Sequence, residues 1–188
     1  MAGALLTALV VTLTSCASDD GDGASPAADI PSSPSESRFA SDRHSYDLEV
    51  PPEWDVTEYD GTWTDFAQFS PGAEVPGEDV VSSPDRSAFL VSNSMIIPEG
   101  MSADEWLAEL ERLIGPGPDP SCKVSTDTDV VGGEPAQVIE HRCGAMSVVG
   151  RSLTHTDRGY YFTMGFPTAD STTEATLEGI VASIGFTD

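Results

Sequence analysis

Residues 122–143, CKVSTDTDVVGGEPAQVIEHRC, decide the fold of this chain. Polar residues alternate with apolar or β-branched residues on both sides of Gly132-Gly133, a pattern typical of two antiparallel strands. Two consecutive glycines readily adopt the positive φ angles that a two-residue hairpin turn requires. The stretch therefore predicts a β-hairpin that turns at Gly132-Gly133.

This turn also predicts the register of the hairpin. With Val131 facing Glu134, facing residues keep a constant sum of residue numbers, so Cys122 lies directly opposite Cys143. That pair belongs to the non-hydrogen-bonded class, in which opposing residues approach most closely. Pro135 falls in the same class, so its missing N–H costs no ladder hydrogen bond. We therefore predict a disulfide between Cys122 and Cys143.

A zinc site made by Cys122, His141 and Cys143 is the alternative interpretation of the same residues. Zinc would need a fourth ligand and a compartment that keeps thiols reduced, and His141-x-Cys143 is not a standard ligand spacing. We therefore expect no metal site, and no cofactor, in this chain.

The rest of the chain predicts further strands. The first holds Tyr46, Leu48 and Val50 on one face before Pro51-Pro52 ends it, and Asp60-Gly61 predicts a second hairpin turn. This second hairpin joins 56–59 to 62–69, and a loop spans 70–85. The remaining predicted strands are 88–97, 122–131, 134–144, 146–156 and 160–166. The last predicted turn is 157–159.

Two helix starts carry a capping box, in which a Ser side chain and a Glu three residues later bond each other's backbone amides. The boxes are residues 102–105 (SADE) and 171–174 (STTE), with Ser102 and Ser171 as the caps and Gly185 as the stop of the second helix. An apolar stripe follows each start, so both helices should pack on a sheet. We predict an α+β fold, with an antiparallel sheet of about six strands and two main helices packed on it.

The N-terminus has the features of a lipoprotein signal. Residues 4–14 form an apolar run of signal-peptide length, too short for a membrane-spanning helix of about 20 residues. Residues 13–16 (LTSC) resemble the bacterial lipobox, which predicts that Cys16 is lipidated and becomes the new N-terminus. No basic residue precedes the run, so we expect the true start codon upstream. The alternative is an ordinary signal peptide cleaved near Ala17.

Three segments follow from this interpretation. Residues 1–15 are the predicted lipoprotein signal peptide, and residues 16–43 are the lipidated cysteine and a disordered tether rich in Ser, Pro and Asp. Residues 44–188 form one α+β domain. We expect the protein at the cell membrane, lipid-anchored on the extracytoplasmic face.

Acidic residues dominate the charge of the chain. There are 32 Asp and Glu against 8 Lys and Arg, which gives a formal net charge of −24. Such a chain repels the phosphates of nucleic acids and the head groups of anionic lipids. We therefore exclude nucleic acid as a partner, and we expect most of the acidic side chains to be solvated.

The chain contains no nucleophile elbow, phosphate-binding loop, dinucleotide fingerprint or zinc-protease motif. His44, His141 and His155 could act as general bases, and Asp127 and Asp129 share one strand face that could bind a cation or transfer protons. Ser and Asp are so abundant that any triad can be assembled on paper. We therefore expect structural roles for these residues, no catalytic residues and no enzyme.

Several segments resemble the PsbP-like fold, particularly actinobacterial lipoproteins of the LpqN/LpqT kind. They are residues 46–54 (YDLEVPPEW), 100–106 (GMSADEW), 130–136 (VVGGEPA) and 182–184 (ASI), within a match over 44–188. The resemblance implies an antiparallel sheet with helices packed on it, and mostly non-enzymatic accessory or binding roles. It brings no catalytic residues and no photosystem-binding or metal-binding signature.

We expect a membrane-anchored extracytoplasmic lipoprotein that acts as a non-enzymatic binding or accessory module of the cell envelope. Its partner would be an envelope protein, a lipid or a glycan. The alternative is a small extracytoplasmic hydrolase or ion-binding protein that uses Asp127, Asp129 or a histidine. A deep pocket lined by histidines and carboxylates would favour the alternative, and a shallow apolar patch would favour the binding module.

Overall fold

Two antiparallel sheets and two helices make up the part of the chain that the structure describes. The structure is a computed structural model, and it describes residues 37–59, 61, 63–66, 78–114 and 121–187. The elements are β1 (Ser37–Ser41), β2 (Tyr46–Val50), β3 (Asp55–Thr57), β4 (Asp79–Ser82), β5 (Phe89–Ile96), α1 (Ala103–Ile114), β6 (Lys123–Val131), β7 (Glu134–Cys143), β8 (Met146–His155), β9 (Arg158–Pro167), α2 (Ser171–Ala182) and β10 (Gly185–Phe186).

The larger sheet has seven strands in the order β3-β4-β5-β9-β8-β7-β6, and the smaller has three in the order β1-β2-β10, among the described residues. Neighbouring strands are antiparallel throughout. The predicted α+β class is therefore confirmed, with one strand more in the main sheet than the six expected. Neither described helix is long and apolar enough to cross a membrane.

The hairpin of β6 and β7 has the register that the sequence predicts, with Val131 facing Glu134. Both turn glycines have positive φ angles, 60° at Gly132 and 88° at Gly133. A disulfide joins Cys122 to Cys143, whose Cα atoms lie 4.4 Å apart. This spacing is typical of a non-hydrogen-bonded pair.

The second predicted hairpin is wrong. β3 pairs with β4, and not with a strand after Asp60-Gly61. Of the predicted partner 62–69, residues 63–66 are described and are not in a strand, while 60, 62 and 67–69 lie outside the described residues. β4 itself lies in the segment predicted as the loop 70–85. Its inward face carries Asp79, which is 1% exposed, beside the buried Val81, and this polar residue at a core position hides the alternation.

The domain begins earlier than predicted. β1 lies inside the segment 16–43 that we predicted as a tether, and it pairs along its whole length with β2. Phe39 is the one large apolar residue of β1 and packs against the core, so composition alone indicated a linker. Arg38 adds ion pairs to Asp47 and Glu49 of β2. The predicted signal peptide and residues 16–36 lie outside the described residues.

The main sheet is covered on both faces. α2 and the smaller sheet cover one face, where their side chains join the main core cluster, including Leu48, Leu177 and Phe162. On the other face α1 packs Trp106 and Leu110, both at most 1% exposed, into a smaller cluster with Met95. A Cβ at position 159 would lie 2.3 Å from Trp106, so the glycine there lets the indole contact β9 directly.

The first capping box is confirmed and the second is shifted. The amide of Ser102 donates to Glu105 Oε2 at 2.8 Å, and the amide of Glu105 donates to Ser102 Oγ at 3.3 Å. At the second helix the cap is Asp170, whose Oδ1 accepts from the amide of Thr173 at 3.0 Å. Ser171 is therefore the first helical residue, and its predicted role as the cap is wrong.

Two other ends differ from their predicted positions. Helix α2 ends at Ala182 with Ser183 as its C-cap, and Gly185, the predicted stop, belongs to β10. The turn between β8 and β9 is Thr156-Asp157, one residue before the predicted turn 157–159. Thr156 has a φ of 54°, and a threonine in this conformation gives no turn signature in the sequence.

Ser102→Ala should lower the free energy of unfolding by about 1 kcal/mol, because it removes the acceptor of the Glu105 amide. Asp170→Ala should also destabilise the domain, whereas Ser171→Ala should leave its stability nearly unchanged. Urea denaturation followed by circular dichroism measures all three. A loss in Ser171→Ala as large as that in Asp170→Ala would contradict the assignment of Asp170 as the cap.

Cys122→Ser with Cys143→Ser should destabilise the domain by about 3 kcal/mol, the loop-closure entropy expected for a loop of roughly 20 residues. A thiol reductant should lower the Tm of the wild-type protein but not that of the double variant. Intact-mass analysis of the native protein provides the direct check. Two free thiols in that protein would exclude the disulfide.

Candidate functional site

A polar cleft lies between the β6 end of the main sheet and helix α2. Its volume is about 210 Å³, and four carboxylates and two arginines line it together with smaller polar and apolar side chains. The lining residues are Ser125, Thr126, Asp127, Val138, Glu140, Arg142, Val149, Arg151, Glu174 and Glu178. We call this site the β6–α2 cleft.

Arg151 forms the floor of the cleft. Its side chain is only 6% exposed, and it lies on β8 between the inward-facing Val149 and Leu153. Its Nε donates to Asp129 Oδ2 at 2.9 Å, and its Nη2 donates to Glu178 at 2.7 and 2.8 Å. Arg151 thus ties the edge strand β6 to helix α2 across the sheet. A buried guanidinium needs such partners, because an unpaired buried charge is strongly destabilising.

A second, more exposed arginine lies at the mouth of the cleft. Arg142 of β7 bonds Glu140 at 2.5 Å and approaches Glu174 of α2 at 3.8 Å. Glu140 also accepts from Ser125 Oγ at 3.2 Å. Both arginines therefore bridge the sheet to α2, and the carboxylates outnumber them. The cleft is consequently acidic, and it suits a cationic or polar group better than an anion.

The ion pair with Arg151 governs the protonation of Asp129. The hydrogen bond from Arg151 holds the pKa of this carboxyl below its usual range. Because the folded-state pKa is the lower one, ionised Asp129 stabilises the fold above the unfolded-state pKa of 3.8, and this contribution is lost as the pH falls through the folded-state value. A general base for neutral pH needs a pKa near 7, so Asp129 is shifted in the wrong direction.

The histidines do not converge on the cleft. His44 is fully buried, and its Nδ1 lies 2.7 Å from Ser94 Oγ, which also accepts from Arg158 Nη1 at 2.9 Å. A buried His–Ser pair resembles a base with its nucleophile, but Ser94 is 1% exposed and no substrate could reach it. His141 lies on β7 opposite Val124 of β6.

The third histidine has a packing role at the far end of β8. His155 Nδ1 lies 2.8 Å from Glu134 Oε1, and its ring stacks on Phe186 with the ring centroids 4.7 Å apart. Phe186 also contacts Tyr160 at a centroid distance of 4.7 Å, and burial raises the pKa of Tyr160 to about 12. The contact fixes the C-terminal strand β10 against the main sheet.

The sequence interpretation missed a buried polar cluster between the two sheets. Asp79 Oδ2 accepts from Ser41 Oγ at 2.5 Å and from the Tyr46 hydroxyl at 2.9 Å. Burial, with the nearby Asp79 charge, raises the pKa of Tyr46 well above its ordinary value, so the hydroxyl stays protonated as a donor. The cluster joins β1 and β2 to β4. Because its members are buried, we assign it to the fold.

Metal chemistry gains no support from the described residues. No group of three or more His, Cys, Asp or Glu side chains among them is placed to hold a metal ion. The disulfide between Cys122 and Cys143 uses both thiols that the zinc alternative required. In this structure the hairpin therefore offers zinc no cysteine ligand.

The folded chain is similar to solved structures at low sequence identity. Against the solution structure of cyanobacterial PsbP (CyanoP) from Synechocystis sp. PCC 6803, the TM-score is 0.56 at 13% identity, covering 87% of this chain and 98% of that one. Against LpqN of Mycobacterium tuberculosis, whose structure is described as involved in cell envelope biogenesis, it is 0.50 at 13% identity, covering 81% and 86%. The chain has the PsbP-like fold.

A further structural match is a crystal structure from Bacteroides thetaiotaomicron, with a TM-score of 0.50 at 12% identity, covering 83% of this chain and 50% of that chain. No protein-family model and no curated protein sequence matches the chain. The resemblance stated from the sequence motifs is therefore confirmed at the level of the fold.

Removing both partners of Arg151 should destabilise this PsbP-like domain far more than removing one. Asp129 and Glu178 are each 43% exposed, so either single change to Ala should have a small effect, because the other carboxylate still neutralises Arg151. The double change leaves a buried guanidinium unpaired and should cost about 3 kcal/mol. Urea denaturation of the two single variants and the double variant measures this non-additivity.

The exposed pair of Arg112 and Glu109 on α1 supplies the control, since removing its acid should leave stability nearly unchanged. Strictly additive effects at Asp129 and Glu178 would contradict the role of Arg151 as a shared cation.

Proposed function

We propose that the chain is an extracytoplasmic lipoprotein, anchored through Cys16, that acts as a non-enzymatic binding or accessory module of the cell envelope. The lipobox-like residues 13–16 and the apolar run before them support the anchor, although both lie outside the described residues. The PsbP-like fold supports the accessory role, because the similar LpqN structure is described as involved in cell envelope biogenesis.

The ion pair of Asp129 with Arg151, a lining residue of the cleft, supports the non-enzymatic part of the proposal. Asp129, one of the two carboxylates that the hydrolase alternative would use, is ion-paired to a buried arginine that also binds Glu178. The pKa of Asp129 is lowered by that contact, so its carboxylate is a weaker proton acceptor than an unpaired aspartate. The cleft combines carboxylates with arginines and contains none of the three histidines. This arrangement suits recognition of a polar or cationic surface better than hydrolysis.

Cys16→Ala should move the exported protein from the membrane fraction to the soluble fraction. A diacylated cysteine carries two acyl chains, and each buried CH₂ contributes about 0.8 kcal/mol to membrane binding. Cell fractionation followed by immunoblotting checks this, and metabolic labelling with a palmitate analogue reports the acylation itself.

Ser15→Ala is the matched control, because it keeps a small residue before the cysteine and should remain at the membrane. If Cys16→Ala also stayed at the membrane and the wild type took up no label, the proposed anchor would be overturned.

A further inference from the structure

Strand β6 forms an exposed edge of the main sheet. Among the described residues it pairs only with β7, and eight of its nine residues are exposed. The strand contains no proline, and its register with β7 runs without a bulge from Lys123 to Val131. Natural proteins usually keep an edge strand short, interrupt it with a bulge or protect it in another way, because an open edge can pair with another strand. Within the part of the chain that the structure describes, the protection of β6 therefore comes from its side chains.

The hairpin register shows which backbone groups face outward. Across a two-residue turn the closing pair, Val131 with Glu134, is hydrogen-bonded, and pairs alternate from there. The odd-numbered residues of β6 therefore bond β7. The amides and carbonyls of the even-numbered residues point away from the sheet, and these residues are Val124, Thr126, Thr128 and Val130.

Two of these outward amides are capped by the aspartates that precede them. The amide of Thr128 donates to Asp127 Oδ1 at 2.8 Å, and the amide of Val130 donates to Asp129 Oδ1 at 2.8 Å. The second oxygen of Asp129 is held by Arg151. Asp127 and Asp129 thus occupy the donors that an added strand would need. A strand that displaces them must replace two charge-assisted hydrogen bonds.

The two side-chain rows of β6 define what such a strand must carry. Asp127 and Asp129 lie on the side of the sheet that faces α2, next to the acidic cleft. The opposite row is β-branched from Val124 to Val130, and these two valines are 41% and 64% exposed. Because side chains of a paired strand alternate between the same two sides, a complementary strand carries basic residues at every second position and apolar or β-branched residues between them.

A second copy of this chain does not meet that requirement. An antiparallel pair of β6 strands centred on this segment brings Asp127 and Asp129 of one copy beside those of the other, and facing like charges are destabilising. The net charge of −24 on each copy adds repulsion over a longer range. The occupant is therefore a different, basic chain.

We propose that β6 is a docking edge for an extended segment of a partner protein in which Lys or Arg alternates with apolar or β-branched residues, and that Asp127 and Asp129 guard this edge. When the basic segment pairs with β6, its carbonyls accept the amides of Thr128 and Val130, and its cations bind the released carboxylates. A segment without cations would break the same two hydrogen bonds and would give the two carboxylates no new partner in exchange. The inference names a partner chemistry for the binding role proposed above, and so rests on it.

Strand β6 is already held in position before a partner strand binds. The disulfide at one end of the hairpin and the glycine turn at the other hold β6 on β7, and Arg151 holds Asp129. A binding strand consequently orders only itself, which lowers the entropy cost of pairing.

The test uses the protein as the cell produces it, labelled with ¹⁵N and purified in detergent micelles whether or not it carries lipid. The probe is a nine-residue peptide in which lysine alternates with threonine or valine, and the control peptide carries glutamine in place of each lysine. The lysine peptide should bind about tenfold more tightly, the effect expected for two opposite-charge cross-strand pairs, and it should shift the amide signals of Thr126, Thr128 and Val130. Equal binding of the two peptides, or signal changes elsewhere than β6, would overturn the proposal.

Three variants distinguish the effect of capping the β6 amides from the effect of the aspartate charge. Asp127→Ala frees the Thr128 amide, so the glutamine peptide should bind this variant more tightly than it binds the wild type. Asp127→Asn keeps a capping oxygen without the charge, so it should weaken lysine-peptide binding without improving glutamine-peptide binding. Asp42→Ala removes one exposed charge from the turn between β1 and β2 and should leave both affinities unchanged.

If Asp127→Ala and Asp42→Ala had the same affinities for the two peptides, the proposed protection of the edge by Asp127 would be refuted. Because these titrations do not depend on fractionation, failure of peptide docking is distinguishable from failure of the membrane anchor.

Discussion

The turn at Gly132 is the constraint on which the rest of this domain depends. Its φ of 60° favours glycine, and the close packing requires it, because a Cβ there would lie 2.5 Å from the ring of Phe186. The same residue therefore closes the β6–β7 hairpin and admits the C-terminal strand. Phe186 in turn stacks on His155 and brings β10 beside β2, so the small sheet and the main sheet are held together at this corner.

The register set by this turn decides which side chains can meet. A slip of one residue would move every β6 side chain to the opposite face of the sheet. Asp129 would then leave the face that carries Arg151, and the buried guanidinium would keep Glu178 as its charged partner across the sheet. The disulfide, placed nine residues from the turn along β6, holds the same register from the other end. The ion pair, the cleft and the guarded edge are thus consequences of one pairing.

Local features could be predicted from the sequence, and features made by distant residues could not. The hairpin register and the Ser102 capping box depend on residues close in the chain, so spacing and turn chemistry were sufficient. The sheet pairing of β3 with β4 and the contact of Arg151 with Glu178 join segments that no local pattern relates. Arg151 did carry one indication, because it is a charged residue at an inward position of an apolar strand. Asp79 carried the same indication in β4, but its strand is too short for the alternation to be recognised.

The acidity of the chain explains why this edge is guarded by aspartate. Many sheets protect an edge with lysine, whose charge repels other strands. In a chain with a net charge of −24, a row of lysines on β6 would attract the acidic surface of another copy. Asp127 and Asp129 instead repel other copies while capping the amides of their own strand. Protection by carboxylates can be overcome, because cations with the spacing of the two aspartates neutralise them. The protection that keeps copies of this protein apart therefore leaves the edge open to a basic strand.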